Sequence, residues 1–140
     1  MLAYPIRLVK DDNGTFMVTC AAFPEVTTFG ENEHDAVTHA VDAIEEAIAA
    51  RMADRALIPL PGKTGRKLAV LPAQTVAKIL LYQAMIERRV TKIQLARSLR
   101  WHRPQVDRLL NLKHSTNMNQ IETAFGALGK KVRIEIDEAG

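Results

Sequence analysis

The 140-residue chain contains a single cysteine, Cys20. A lone thiol excludes an intrachain disulfide and a cysteine-based zinc cluster, and it suits a reducing cytoplasm, where the protein is expected to work. Aromatic residues make up only 5%, so any core must rest on Ala, Val, Ile and Leu. No apolar run approaches the roughly 18 residues that a membrane span needs. The N-terminus, MLAYPIRLVKDD, lacks the apolar stretch and small-residue cleavage site of a secretory signal. No membrane partner is therefore expected. The four histidines also lack metal spacing: His34 and His39 stand five apart, off one helix face, and His102 and His114 are remote in sequence. They read as surface residues, and neither a metal site nor a cofactor is expected.

Charge is what the sequence has, and it is unevenly placed. Residues 1–73 hold seven basic and ten acidic side chains, whereas residues 74–140 hold twelve and six. Within 88–113, eight basic residues face one acid, Asp107. A basic half joined to an acidic half suggests two jobs, and the basic half suits a polyanion. The length allows two small domains with thin cores, a situation that oligomerisation often relieves.

The first 30 residues read as strands. Tyr4, Ile6 and Leu8 share one face, and beyond Asp11-Asp12-Asn13-Gly14 so do Phe16, Val18 and Cys20; this is a hairpin pattern. Cys20 reads as a small buried hydrophobe. Pro5 suits an edge strand or a strand start. Phe23-Pro24 interrupts, and Val26 to Phe29 reads as a third strand. A helix capped by Asn32 follows, with Val37, Val41, Ile44, Ile48 and Met52 as its stripe and Ala40 and Ala47 beside it. The Leu57–Gly65 stretch, rich in Pro and Gly, is a loop, and Lys67 to Leu71 is a fourth strand. The expected fold is α+β: a β-β-β-α-β domain over 1–72, then an all-α domain over 73–140 with a terminal strand.

In the second half, Gln74 to Arg89 forms a helix with Val76, Ile79, Leu80 and Ile86 on one face. Thr91 starts the next, with Gln94 at the capping-box position. A third runs from His102 or Arg103 to Asn111, with Pro104 in its first turn. A fourth, capped by Asn119, ends at Gly129. Residues 131–137 (KVRIEID) alternate as a strand but have no partner in their own domain, and a strand needs one. Val132, Ile134 and Ile136 are expected to pair across a two-fold axis with a second copy.

Residues 91–111 match the demands of a helix-turn-helix: two short helices, a tight turn and a small residue, Ala96, at their crossing. Leu95 and Leu99 face inward, as do Val106, Leu109 and Leu110. Arg103, Gln105, Asp107 and Arg108 then face outward, where they suit base edges in a major groove. Lys92, Asn111 and Lys113 suit phosphates. Arg100 stands in the turn where Gly is usual; a non-Gly residue can adopt the left-handed conformation there at some cost. Trp101 is expected to pack that turn rather than stack on a base.

The opening YPIRLVKDDNGTFMVTCAAFPEVTTFGE, the helix after it, the LIPLP loop and the tail TKIQLARSLRWHRPQVDRLLNLKHSTNMNQIETAFGALGKKV together resemble the HicB family of antitoxins over essentially the whole length. The resemblance implies a partial ribonuclease-H-like N-terminal domain joined to a DNA-binding domain of the helix-turn-helix branch. It also implies that the first domain blocks a HicA-like toxin, an mRNA-cleaving ribonuclease, while the second represses the operon encoding both. The expected partners are that toxin, operator double-stranded DNA and a second copy of the chain, as a dimer through the C-terminal domain or a tetramer. The acidic first domain complements a basic toxin, and Phe23, Pro24 and Glu25 are candidate toxin contacts.

Catalysis is not expected. A two-metal nuclease needs converging carboxylates, whereas Asp11 and Asp12 lie in a turn and Glu45 and Glu46 on a helix. Ser98 and Ser115 lack the context of a nucleophile. Two other functions remain as alternatives: a stand-alone transcription regulator whose N-terminal domain senses a small ligand, and a dimerisation scaffold that does not bind DNA.

Overall fold

The computed structural model describes residues 2–62, 65 and 67–139. The chain divides into two compact units, one ending at Val76 and the other beginning at Ala77.

The first unit is β-β-β-α-β. Strands β1 (Ala3–Lys10) and β2 (Phe16–Cys20) form the expected hairpin, with Leu8 opposite Val18 and Lys10 opposite Phe16. Its turn is tied from within, because the Thr15 hydroxyl donates to the Asp11 carboxylate at 2.9 Å. Gly14 takes a φ of 85°, which a Cβ would strain. Strand β3 (Phe23–Gly30) starts three residues before the expected Val26. Pro24 does not break it because β3 is an edge of the sheet, whose order is β3-β2-β1-β4, and an edge strand can turn a missing N–H away from the ladder. Pro5 lies on the inner strand β1 rather than on an edge, near the strand's start and in the stretch that pairs with β4 alone. The short strand β4 (Lys67–Val70) pairs with residues 3–6 of β1, and pairing with β2 begins only at Arg7.

Helix α1 (Glu33–Ala53) covers one face of this sheet. The Asn32 carboxamide accepts from the Asp35 amide at 2.8 Å, and the Asp35 carboxylate accepts from the Glu31 amide at 2.9 Å. One orphan amide of the first turn and the amide of the residue before the cap are thus satisfied. The buried face is Ala36, Ala40, Ile44, Ala47 and Ile48; Val37, Val41 and Met52 are only half-buried. The helix is rotated toward its alanines because it lies close to β3. A Cβ built on Gly30 would stand 2.2 Å from the Ala36 nitrogen. The loop after α1 is pinned by the Tyr4 hydroxyl, which donates to the Pro59 carbonyl at 2.8 Å. Lys63 and Thr64 of that loop lie outside the described residues.

Helix α2 (Ala73–Arg88) crosses the division between the units. Its apolar face differs from expectation. Leu80 is 46% exposed, while Thr75, Lys78, Ile79, Leu81, Tyr82, Ala84 and Met85 are buried. In the second unit it is followed by α3 (Lys92–Leu99), α4 (Arg103–Leu110) and α5 (Met118–Ala127). Their core is built from Leu81, Met85, Leu95, Ala96, Val106, Leu109, Ile121 and Leu128, with Leu99, Trp101 and Leu110 partly buried against it. The cap of α5 is Asn117, not Asn119: its Oδ1 accepts from the Gln120 amide at 2.9 Å. Residues 130–139 form no regular element in the single chain. The expected terminal strand is therefore absent here, since alternation alone supplies no neighbour for its backbone groups.

Candidate nucleic-acid interface

Local sequence sets the α3–turn–α4 geometry. Thr91 Oγ1 accepts from the Gln94 amide at 3.1 Å, and Gln94 Oε1 accepts from the Thr91 amide at 2.9 Å. This reciprocal box fixes the start of α3. Arg100 ends it in the left-handed region, at φ 58° and ψ 38°. The Arg100 and Trp101 amides then donate to the carbonyls of Arg97 and Ala96 at 3.2 and 3.0 Å, closing the helix end as a Schellman motif does. Three residues, Arg100 to His102, separate the helices. Ala96 is 7% exposed, so its methyl lets α4 approach α3 closely. Half-buried Trp101 packs on the core of the unit, as expected.

The residues expected to meet DNA fall into three groups. Asp107 links the first: its Oδ1 lies 3.1 Å from Lys92 Nζ and 3.6 Å from Arg103 Nε. Gln105 and Arg108 form the second. They line an open polar hollow of about 500 Å³ together with His114, Ser115, Thr116, Asn117 and Gln120. Gln105 is partly committed, because its Oε1 accepts from the His102 amide at 2.9 Å; its amide protons point elsewhere. The third group is Asn111 and Lys113, joined in a turn where Asn111 Oδ1 accepts from the Lys113 amide at 3.0 Å. Ser115, Asn117 and Gln120 were not anticipated. The polar run His114 to Asn117 after α4 is the signal that could have suggested them.

Lys78 was missed altogether. It sits on α2 with no solvent exposure. Its Nζ donates to the carbonyls of Arg108 (2.9 Å), Asn111 (2.8 Å) and His114 (2.5 Å), and to Thr116 Oγ1 (2.8 Å). These partners lie at the end of α4 and in the turn after it, where the Arg108 and Asn111 carbonyls also accept from the amides of Asn111 (3.3 Å) and His114 (3.1 Å). A cation there also complements the negative pole of the helix. Burial pulls its pKa down from 10.5 to about 8, because removal from water penalises the charged form. A lysine in phase with Leu81, Tyr82 and Met85 was the available sequence signal.

The candidate toxin contacts lie in the first unit, and one of them needs correcting. Phe23 is fully buried. It packs edge-to-face against Tyr4, with ring centroids 5.0 Å apart, and the Arg51 guanidinium lies 4.8 Å from its ring centre. It begins a strand rather than sitting in an interrupted loop, so it is no surface anchor. Pro24 and Glu25 are exposed. The hydrogen bond from Arg51 holds the Glu25 carboxyl below its ordinary pKa. Of the carboxylates weighed for catalysis, Asp11 is engaged by Thr15, and Glu45 accepts from the Thr75 hydroxyl at 2.6 Å.

Comparison with known proteins places the chain. Residues 3–80 match the sequence model of the HicB-like antitoxin of bacterial toxin–antitoxin systems. The chain is 35% identical to Antitoxin HicB of Pseudomonas fluorescens (strain Pf0-1), over 99% of its own length and 97% of that protein's. It is 32% identical to Antitoxin HicB 2 of Photorhabdus laumondii, covering 95% of each chain. To Antitoxin HicB of Escherichia coli (strain K12) it is 31% identical, covering 95% of this chain and 98% of that one. Among the described residues, no helix is long and apolar enough to cross a membrane. With relatives matched nearly end to end, the chain belongs to the HicB-like family of antitoxins of bacterial toxin–antitoxin systems.

Proposed function

We propose that this chain neutralises a HicA-like, mRNA-cleaving toxin and represses its own operon by binding operator DNA. The neutralising part is residues 1–72 and the DNA-binding part residues 73–140; the protein is not itself an enzyme. The reading of a toxin partner rests on the nearly full-length likeness to proteins named Antitoxin HicB. The observation that carries the DNA reading is the α3–turn–α4 pair, with Arg103, Asp107 and Arg108 exposed on α4 and Gln105 half-exposed. Arg103 and Arg108 would donate to guanine edges, Gln105 to an acceptor on a base, and Asp107 would accept from cytosine. Lys92, Asn111 and Lys113 would hold phosphates.

The excess of acids in residues 1–73 suits a basic toxin, and Pro24 and Glu25 on the β3 edge are the contacts we assign to it. A homodimer through residues 131–137, or a tetramer built from such dimers, would set two copies of α4 about 34 Å apart, one helical turn of DNA.

Two measurements test this. The double variant R103A/R108A should no longer shift a duplex taken from upstream of the operon, yet should still co-purify with the toxin encoded beside it. Unchanged DNA binding by that variant would refute the assignment of α4. Failure of the intact chain to protect cells from the neighbouring gene product would refute the antitoxin role.

A further inference from the structure

The DNA-reading surface assigned above is not one rigid element. Six of its seven residues come from two parts, the exposed face of α4 and the turn from Asn111 to Thr116. Covalently these are joined only in series, and the eight-residue helix α4 is too short to hold its own end firmly. One side chain from elsewhere reaches both. Lys78 Nζ lies within 2.9 Å of oxygens belonging to Arg108, Asn111, His114 and Thr116. Two of these, Arg108 and Asn111, are residues whose own side chains we assign to the DNA. The ammonium has three protons for four oxygens, so every proton is used and at least one is shared.

We infer that Lys78 is the positioning residue of the DNA-reading surface: it never touches DNA, and it fixes the end of α4 and the turn beyond it at the spacing that the bases and phosphates require. The inference rests on the DNA-binding reading above.

The chemistry supports a positioning role over a purely stabilising one. All four partners are neutral oxygens, so no counter-ion repays the desolvation of the ammonium, and burial of an unpaired charge is costly. An apolar residue of the same length would fill the space at less expense. What methionine could not do is hold three carbonyls and a hydroxyl at one point. The titratable and charged residues around that point are Arg108, which presents its carbonyl, and His114, whose Nδ1 is 3.2 Å from Thr116 Oγ1; none of the four partners is a carboxylate.

A consequence follows for pH. Burial brings the ammonium's pKa to about 8. A neutral amine has only two protons for the same four oxygens and no charge to strengthen the bonds, so its hold on the three carbonyls weakens. Bound phosphates favour the ammonium, so DNA binding is coupled to proton uptake at this site. Affinity for DNA should be constant below about pH 8 and fall by at most about tenfold per pH unit above it.

The experiment uses the full-length chain, K78M and T116V, with a duplex from upstream of the operon as probe. Affinity is measured between about pH 6.5 and 9.5, with amide hydrogen exchange followed in parallel. At neutral pH, K78M should bind at least about tenfold more weakly, the scale of one lost base contact. Its affinity should be flat across the pH range where the parent's declines, and exchange should quicken in residues 108–117. T116V, which keeps the lysine and loses one partner, should be intermediate in all three and serves if K78M does not fold. The inference is overturned if K78M binds like the parent, if parent and variant share one pH profile, or if T116V is indistinguishable from the parent in affinity and exchange. If the parent itself binds no DNA, the DNA reading fails and this inference with it, and the exchange data then show separately whether the clamp exists.

Discussion

Arg100 offers the cleanest test of how this fold is balanced locally. Its backbone sits at φ 58° and ψ 38°, where a Cβ crowds the following carbonyl at a cost of about 1–2 kcal/mol. Glycine removes that crowding but adds freedom to the unfolded chain, which returns about 0.5–1 kcal/mol. R100G should therefore stabilise the helical unit by roughly 0.5–1 kcal/mol, the usual size for a backbone-compatible substitution. For a domain this small, that corresponds to a rise in Tm of about 2–8 °C. The chain has one tryptophan, Trp101, packed against the core of this unit, so its fluorescence reports that unit's melting. R100A is the control. It removes the guanidinium and keeps the Cβ, so it should melt within about 2–4 °C of the parent, since surface truncations usually stay within about 0.5 kcal/mol. If R100G melts no higher than R100A, the turn carries no left-handed strain and the reasoning fails.

Two further perturbations test the packing of the first unit and the assembly. G30A should destabilise the first unit by about 1–3 kcal/mol in urea titration, the usual cost of overpacking, because the new Cβ would meet the Ala36 backbone at 2.2 Å. A loss below about 0.5 kcal/mol would mean that β3 and α1 separate easily. Deleting residues 131–140 should give monomers in light scattering and weak operator binding. Dimers that persist would move the interface away from that segment.

Much of this fold is legible in the sequence because its signals are local. The DDNG hairpin, the Asn32 cap and the Thr91–Gln94 box each use a side chain to satisfy backbone groups within four residues, so spacing alone reveals them. Arg100 was legible for the same reason: the turn requires a left-handed residue wherever it occurs. The misreadings have a common cause in tertiary context. Pro24 reads as a strand breaker until β3 is known to be an edge. Asn117 and Asn119 are equally good caps in isolation, and packing selects between them. Leu80 looks like core and Lys78 like surface until the carbonyls at the end of α4 are in place, because no hydropathy pattern records where another helix brings its backbone carbonyls together.

The ends of α4 and α5 differ in what the chain supplies for them. At the end of α4 the chain supplies its own partner: a lysine brought in from α2 donates to the carbonyls gathered there. After α5 it supplies none. Ile134 and Ile136 are 63% and 88% exposed, in a segment where apolar and charged residues alternate. Burying one such side chain is worth about 1.5–3 kcal/mol, so leaving both in water forgoes a stabilisation comparable to that of the turn and caps together. An alternating segment gains it most directly by lying against another strand, where one face is covered and the backbone is bonded. The same segment of a second copy is such a strand, and a two-fold axis makes the two pairings identical. Such a pairing would also give the DNA-reading surface its partner at a fixed distance. The segment that looks least structured in one chain would then be the one that sets the spacing of the operator.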